Sequence, residues 1–283
     1  MVPTSTDPLP PDETCGFVFA TSGAQYTVMA RRAARTLRAV MPGFPVDLYT
    51  DQPVTDATFD RIFAIEHKVR MPKIEALVRS RFARTIYLDA DVIPLADIAD
   101  VFRLLDQAEL AATHVQYRTC PPGGNDPDIP AAFPQLNAGL IGLRATPATQ
   151  ALLHEWGALM QSTDTRHDQP LLRRLVYRGG VRLAVLPPEY NFIRLVWLEA
   201  WDSTMGAPRL LHLGHLKQYG SSDPEQPFDV AAVIGARHAA HLRRLIAADP
   251  ALGGNPGVPV VAPVRVARPH PLRGLLRRLT GRG

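Results

Sequence analysis

Short apolar runs alternate along the chain with stretches whose apolar positions recur every three or four residues, and this alternation predicts strands and helices in turn. Residues 16–21 form an apolar run of strand length. Residues 26–41 then carry Val28, Ala33, Leu37 and Val40 at helical spacing, until Pro42-Gly43 stops the helix. Residues 46–50 read as a second strand, and Pro72 suits the first position of a helix bearing Ile74, Leu77 and Val78. Residues 84–88 are the next strand. The second half is less regular: a short helix over 98–105, a strand over 110–114, a strand over 140–143, helices over 147–160 and 171–177, and a strand over 181–186. Strand and helix alternating in this way predict a mostly parallel sheet covered by helices. The Gly/Pro/Asp-rich segment 116–134 is too long for a simple connection and reads as a lid or binding loop.

The strand over 84–88 runs straight into Asp89-Ala-Asp91. Carboxylates at i and i+2, just past a strand where the chain bends, can converge on one hard divalent cation, and a cation so held can hold a diphosphate. In sheets of this type ligands sit at the carboxyl ends of the strands. Thr21 and Ser22, Asp51, and His212 after Leu210-Leu211 fall at further strand ends. The glycine fingerprint of dinucleotide folds and the Gly-rich Lys-Ser/Thr loop of ATPases are both absent after the first strand, so a nucleotide's phosphates would rely on metal and basic side chains.

Composition adds bounds. With 283 residues, 46% of them apolar, the chain can bury a full core. The expected organisation is a flexible start over 1–15, one α/β domain over 16–250, a Pro/Gly/Val linker over 251–271 with an edge β-segment within 258–266 as an option, and a basic tail over 272–283. Six arginines follow Asp249 with no acid among them, and they exceed the net charge of +4, so the body without them is slightly acidic. That argues against nucleic acid as a partner, since such domains carry their basic residues on the folded body. In the tail, Leu272, Leu275, Leu276 and Leu279 share one helical face among arginines, which suggests weak contact with an anionic membrane. No apolar run is long enough to span a bilayer and no signal peptide is evident, so the expected location is the cytoplasm, with a peripheral position at the inner membrane face as an option. Cys15 and Cys120 read as thiols, not as a disulfide framework.

Five segments occur in a familiar order: Lys73 within Met-Pro-Lys-Ile-Glu-Ala-Leu, Tyr87-Leu-Asp-Ala-Asp-Val92, Leu136-Asn-Ala-Gly-Leu-Ile-Gly-Leu143, His167-Asp-Gln169 and Leu211-His-Leu-Gly-His-Leu-Lys217. From about Gly16 to Tyr219 the chain resembles the glycogenin-like, retaining branch of nucleotide-sugar glycosyltransferases (glycosyltransferase family 8) with the GT-A fold. The resemblance implies an α/β GT-A-like nucleotide-diphospho-sugar transferase fold, and Mn²⁺ or Mg²⁺ held by Asp89, Asp91 and His212. It further implies that Asp89 bridges metal and donor ribose, that Lys217 meets the diphosphate, that Lys73 faces the donor, that Asn137 lies near the sugar, and that Asp168 and Gln169 line the sugar hydroxyls and the reacting face. Tyr26 resembles the aromatic near the nucleobase, with Thr21 and Asp51 beside it. Family members show His, two residues, Gly, then Lys-Pro-Trp; here the spacing is one residue shorter and Pro-Trp is missing, which leaves His212 and His215 as alternatives.

Local explanations compete for several of these residues. Asn137-Ala-Gly139 reads as a turn before a strand, and Asp168 as the cap of the helix that follows it. The function expected is metal-dependent transfer of a hexose from a UDP-sugar to a glycan, lipid-linked or small-molecule hydroxyl with retention. Oxygen-rich ligation suits Mn²⁺ or Mg²⁺ better than structural zinc. The alternatives are a silent nucleotide-sugar-binding module and a Mg-dependent phosphate-ester hydrolase. The hydrolase would want its Asp-x-Asp after the first strand and followed by Thr, not by Val92.

Overall fold

The computed structural model describes residues 15–66, 71–115 and 126–263. In chain order the elements are β1 (Cys15–Thr21), α1 (Ala24–Val40), β2 (Val46–Thr50), β3 (Arg61–Ala64), α2 (Pro72–Arg79), β4 (Arg84–Leu88), β5 (Val92–Pro94), α3 (Asp100–Leu104), β6 (Leu110–His114), β7 (Leu136–Arg144), α4 (Pro147–Ser162), α5 (Asp168–Arg178), β8 (Leu183–Leu186), β9 (Leu210–His212), α6 (Val230–Ile234) and α7 (Ala236–Ala248), with 3-10 turns at Pro188–Tyr190, Leu195–Glu199, Gly214–Tyr219 and Pro250–Leu252.

Seven strands form one sheet in the order β3-β2-β1-β4-β7-β6-β8. Every neighbouring pair is parallel except the two that β7 makes, with β4 and with β6, so β7 alone is reversed. The near-continuous apolar character of β1 follows from its position between β2 and β4, with helices on both faces. Phe17 and Phe19 point into one core with Met29, Leu37 and Phe102, while Val18 points into the other with Ile74, Leu77, Tyr87 and Trp156. A second, two-stranded sheet pairs β5 with β9, antiparallel.

The structure departs from the sequence-based expectation at informative places. The reversed β7 begins at Leu136, not at residue 140, so Asn137, Ala138 and Gly139 are strand and not turn. The half-exposed edge strand β3, the three-residue strand β5, and the helices α6 and α7 have no counterpart in that expectation, whereas the strand end expected at Leu210-Leu211 is β9. Residues 251–263 do not run free as a linker: Val260 is buried in the core, its N–H donates to Ser203 Oγ at 2.9 Å, and Ser203 N–H donates to its carbonyl at 3.0 Å. The option of an edge strand finds no counterpart over 258–263, and residues 264–283, with the basic tail, lie outside the described residues, as do Cys120 and 116–125 of the expected lid. Cys15 is buried.

One buried ion-pair cluster ties α1 to the turn before β3. Arg31 Nε donates to Asp56 Oδ2 at 2.5 Å and Arg35 Nη1 to the same oxygen at 2.8 Å. Burial alone would raise the Asp56 carboxyl, but hydrogen bonds from Arg35 and Arg31 outweigh it and hold the group well below the usual carboxylate range. A depressed folded-state pKa contributes stability that is present above the ordinary carboxylate value and is lost as the pH falls through the folded value. Asp56→Asn is therefore expected to lower stability by about 2 kcal/mol at neutral pH, the scale of a hydrogen bond to a charged group. Thermal melts against pH should show the gap between wild type and variant closing in acid.

Candidate active site

The site forms where β4 ends. Asp89 N–H donates to Gly139 O at 2.9 Å, which continues the β4–β7 ladder one step past the strand, and the chain then turns through Ala90 and Asp91 into β5. Because β5 pairs with β9 in the register Val92↔His212, His212 is delivered beside Asp91; Leu213 N–H donating to Asp91 O at 3.0 Å locks that join. His212 thus reaches the site from the small sheet, not from a strand end of the main one.

Ligand atoms of Asp89, Asp91 and His212 all lie within 4.8 Å of one another. His212 Nε2 is 3.4 Å from Asp91 Oδ1 and 3.9 Å from Asp89 Oδ2. Two carboxylate oxygens and one imidazole nitrogen are a donor set suited to a hard or borderline divalent ion. His215 is exposed on the 3-10 turn that follows and is not in this cluster, so the geometry favours His212 over His215.

Electrostatics fit the same use. Burial pushes the Asp91 carboxyl up, yet the hydrogen bond and charge of His212, with Lys217 adding to them, hold it below its ordinary value. Burial pushes His212 down, and the hydrogen bond and charge of Asp91, followed by the charge of Asp89, bring it above its ordinary value. Two acids so placed draw positive charge onto the imidazole, and a divalent cation would take the place of that proton.

Lys73 sits behind the cluster. Its Nζ lies 3.1 Å from Asp89 Oδ1, 3.1 Å from Asp168 Oδ2 and 3.2 Å from Ala138 O. The ammonium donates to Ala138 O and, at 3.4 Å, to Asp89 Oδ2, while Asp168 Oδ2 pairs with it by charge. Burial would lower its pKa, but Asp168 and Asp89 raise it above its usual value. Lys73 therefore joins the start of α5 to the end of β4. Tyr87 OH also donates to Asp89 Oδ1, at 2.7 Å, while Oδ2 lies between Lys73 Nζ at 3.4 Å and His212 Nε2 at 3.9 Å.

The other sequence-based candidates fall into two groups. Asp168 is the first residue of α5, not its cap: His167 holds the cap position, and no side chain caps the helix. Trp156 Nε1–H donates to Asp168 O at 3.0 Å and pins this end of the helix. Gln169 accepts from Gln135 Nε2 at 3.2 Å, and Asn137 Oδ1 accepts from Gly139 N–H at 2.9 Å. Of these, Asp168 is joined to Asp89 through Lys73. The second group lies at the start of α1 and in the strand ends and loop before it. Lys217 Nζ stands 6.0 Å from the centre of the Tyr26 ring, which is 41% exposed and so open to stacking. Asp51 accepts from Ser22 Oγ at 2.5 Å and from Gly23 N–H at 2.8 Å, shaping the loop that precedes Tyr26. Thr21, by contrast, turns its hydroxyl inward, 2.9 Å from Thr27 Oγ1 and 3.2 Å from Thr50 Oγ1, so it braces the strand ends and does not offer its side chain to a ligand.

Sequence reasoning missed two residues here. Asn191 is completely buried and touches both Asn137 and His212. Gly139 is required by close approach: a Cβ there would meet His212 Cε1 at 2.2 Å and Nδ1 at 2.3 Å. The signal for Asn191 was the unexplained polar residue between Tyr190 and Phe192 in an otherwise apolar pair.

This sheet, with its acidic turn at the end of the fourth strand, is the GT-A-like α/β fold of nucleotide-sugar transferases. A family model described as "Nucleotide-diphospho-sugar transferase" matches residues 47–221, more than half of the chain, and the chain belongs to that family. No curated protein matches it by sequence. Among solved structures, it is similar to the galactosyltransferase LgtC in complex with donor and acceptor sugar analogs, with 14% identity, a TM-score of 0.52, and 81% of this chain and 94% of that one covered. It is also similar to the glycosyltransferase GlyE of Streptococcus pneumoniae, with 18% identity, a TM-score of 0.52, and 78% of this chain but 63% of that one covered. At these identities the likeness is one of fold.

Proposed function

We propose that the protein is a retaining glycosyltransferase of the glycogenin-like branch that moves a hexose from a UDP-sugar to an acceptor hydroxyl on a glycan, a lipid-linked saccharide or a small molecule, with Mn²⁺ or Mg²⁺ at Asp89, Asp91 and His212. The observation that carries this reading is the convergence of those three ligand atoms within 4.8 Å at the end of β4. When bound, the ion would supply charge stabilisation to a diphosphate leaving group. Lys217 adds a second positive charge on the α1 side of the cleft, where its field already reaches Asp91. Tyr26 offers an open ring for a nucleobase, and Asp51 holds the loop before it. Gln169 and Asp168, at the start of α5, are proposed to meet the sugar hydroxyls. Gln169 is an amide where an inverting enzyme would want a carboxylate base, which supports retention.

The test is a panel of nucleotide sugars with Mn²⁺, reading nucleoside diphosphate release, product mass and anomeric configuration. UDP release that depends on Mn²⁺ and a product of retained configuration are expected. A silent binding module would bind UDP without turnover, and an inverted product would refute the retaining assignment. Among the described residues no helix is long and apolar enough to cross a membrane. We also propose a cytoplasmic, peripheral location with the basic tail in contact with anionic membrane; co-sedimentation of the full chain with anionic vesicles at low and high salt tests the contact.

A further inference from the structure

Behind the three-residue cluster runs a chain of hydrogen bonds whose direction is set by one backbone group. The amide N–H of Gly139 can only donate, and it lies 2.9 Å from one terminal atom of the Asn137 side chain. That atom must be the carbonyl oxygen. Asn191 places a terminal atom 2.9 Å from the same oxygen, and two amide oxygens would repel there, so Asn191 offers its NH₂. Its own carbonyl oxygen is then the atom 3.0 Å from His212 Nδ1, and Nδ1 must carry a proton to meet it. A neutral imidazole has one N–H. Its Nε2 is left with a lone pair, on the side where Asp91 Oδ1 stands at 3.4 Å and Asp89 Oδ2 at 3.9 Å.

We propose that Asn191 is a positioning residue which, oriented by Asn137 and the Gly139 amide, holds His212 in the Nδ1–H tautomer and so keeps Nε2 ready for a divalent cation. The inference rests on the metal reading of the cluster. It is not a restatement of that reading, because a histidine can stand near two acids with either nitrogen protonated; what decides is the partner on the far side of the ring. Asn191 is 0% exposed, so no water competes for its amide. The relay also links the metal ligand to Asn137: its Oδ1 already accepts two bonds, so the N–H donors of its amide are what Asn137 retains for a ligand.

The experiment uses the full chain with ¹⁵N-labelled histidine, metal-free, with the pH stepped upward until the ¹⁵N shifts show the His212 ring to be neutral. Long-range ¹H–¹⁵N correlation spectra, with the His212 signals assigned from His212→Ala, report which ring nitrogen is protonated. Wild type should show Nδ1–H, and Asn191→Leu should shift the population toward Nε2–H. Calorimetric titration with Mn²⁺ should find the variant about 10- to 100-fold weaker, the range for loss of a partner to a metal ligand, with thermal unfolding confirming that it is folded. Nε2–H in wild type overturns the proposal, and so does an Asn191→Leu protein whose tautomer and Mn²⁺ affinity both match wild type. Should that variant fail to fold, the wild-type spectrum alone still decides. Mn²⁺ binding with Nε2–H would sink the relay and spare the metal reading; Nδ1–H without Mn²⁺ binding would sink the metal reading.

Discussion

Replacing Asp91 by asparagine is expected to abolish Mn²⁺-dependent release of nucleoside diphosphate while leaving the protein folded. The side chain keeps its size, and its backbone carbonyl still accepts from Leu213 N–H, so the join between β5 and β9 stands. What goes is one negative charge from a site whose geometry depends on it. Asp91 is the acid nearest His212 Nε2, and its carboxyl is held below its ordinary value by His212 with help from Lys217. Asp89 cannot substitute, because Tyr87 already donates to its Oδ1 and Lys73 to its Oδ2. Loss of an outer partner to a metal ligand costs about 10- to 100-fold in affinity or activity, so loss of a charged ligand should cost more than about 100-fold. Calorimetry with Mn²⁺ and a diphosphate-release assay measure the two losses separately. An active Asp91→Asn enzyme would remove the metal from the mechanism.

The main sheet was largely legible from the chain because its strands are buried on both faces. β2, β4 and β6 coincide with their expected bounds, and the acidic turn after β4 stands where the apolar run predicted it. What was not legible depends on contacts far apart in sequence. Asn137 and Gly139 have the local preferences of a turn, yet they belong to a strand that runs between β4 and β6, and nothing nearby in the chain reports that it is reversed. A three-residue strand such as β5 has no period to detect; it exists because Leu210, Leu211 and His212 lie opposite it. The helix α7 did leave a signal, with Ala239, Leu242 and Leu245 buried at helical spacing, and it was passed over because its other positions are mostly arginine, histidine and alanine. The placement of Lys73 was not legible: only the fold shows Asp168 and Asp89 on either side of it.

Gly139→Ala is expected to cost both stability and metal binding, and the two losses should be traceable to a single contact. The added methyl carbon would stand 2.2 Å from His212 Cε1 and 2.3 Å from Nδ1, far inside contact distance. The backbone is anchored at this point, because Gly139 O takes the Asp89 N–H at 2.9 Å and the Gly139 N–H donates to Asn137 Oδ1 at 2.9 Å. The imidazole must therefore move, giving up its bond to Asn191 and the convergence of Nε2 with the two acids. Overpacking of this kind costs about 1–3 kcal/mol, and a displaced ligand should weaken Mn²⁺ binding by at least about tenfold. A double-mutant cycle isolates the cause. In a His212→Ala background the ring is gone, so adding Gly139→Ala should cost little further stability, and an interaction energy of about 1–3 kcal/mol should emerge between the two positions. Strictly additive effects, or a Gly139→Ala protein that binds Mn²⁺ as wild type does, would mean that His212 does not rest on this glycine in solution.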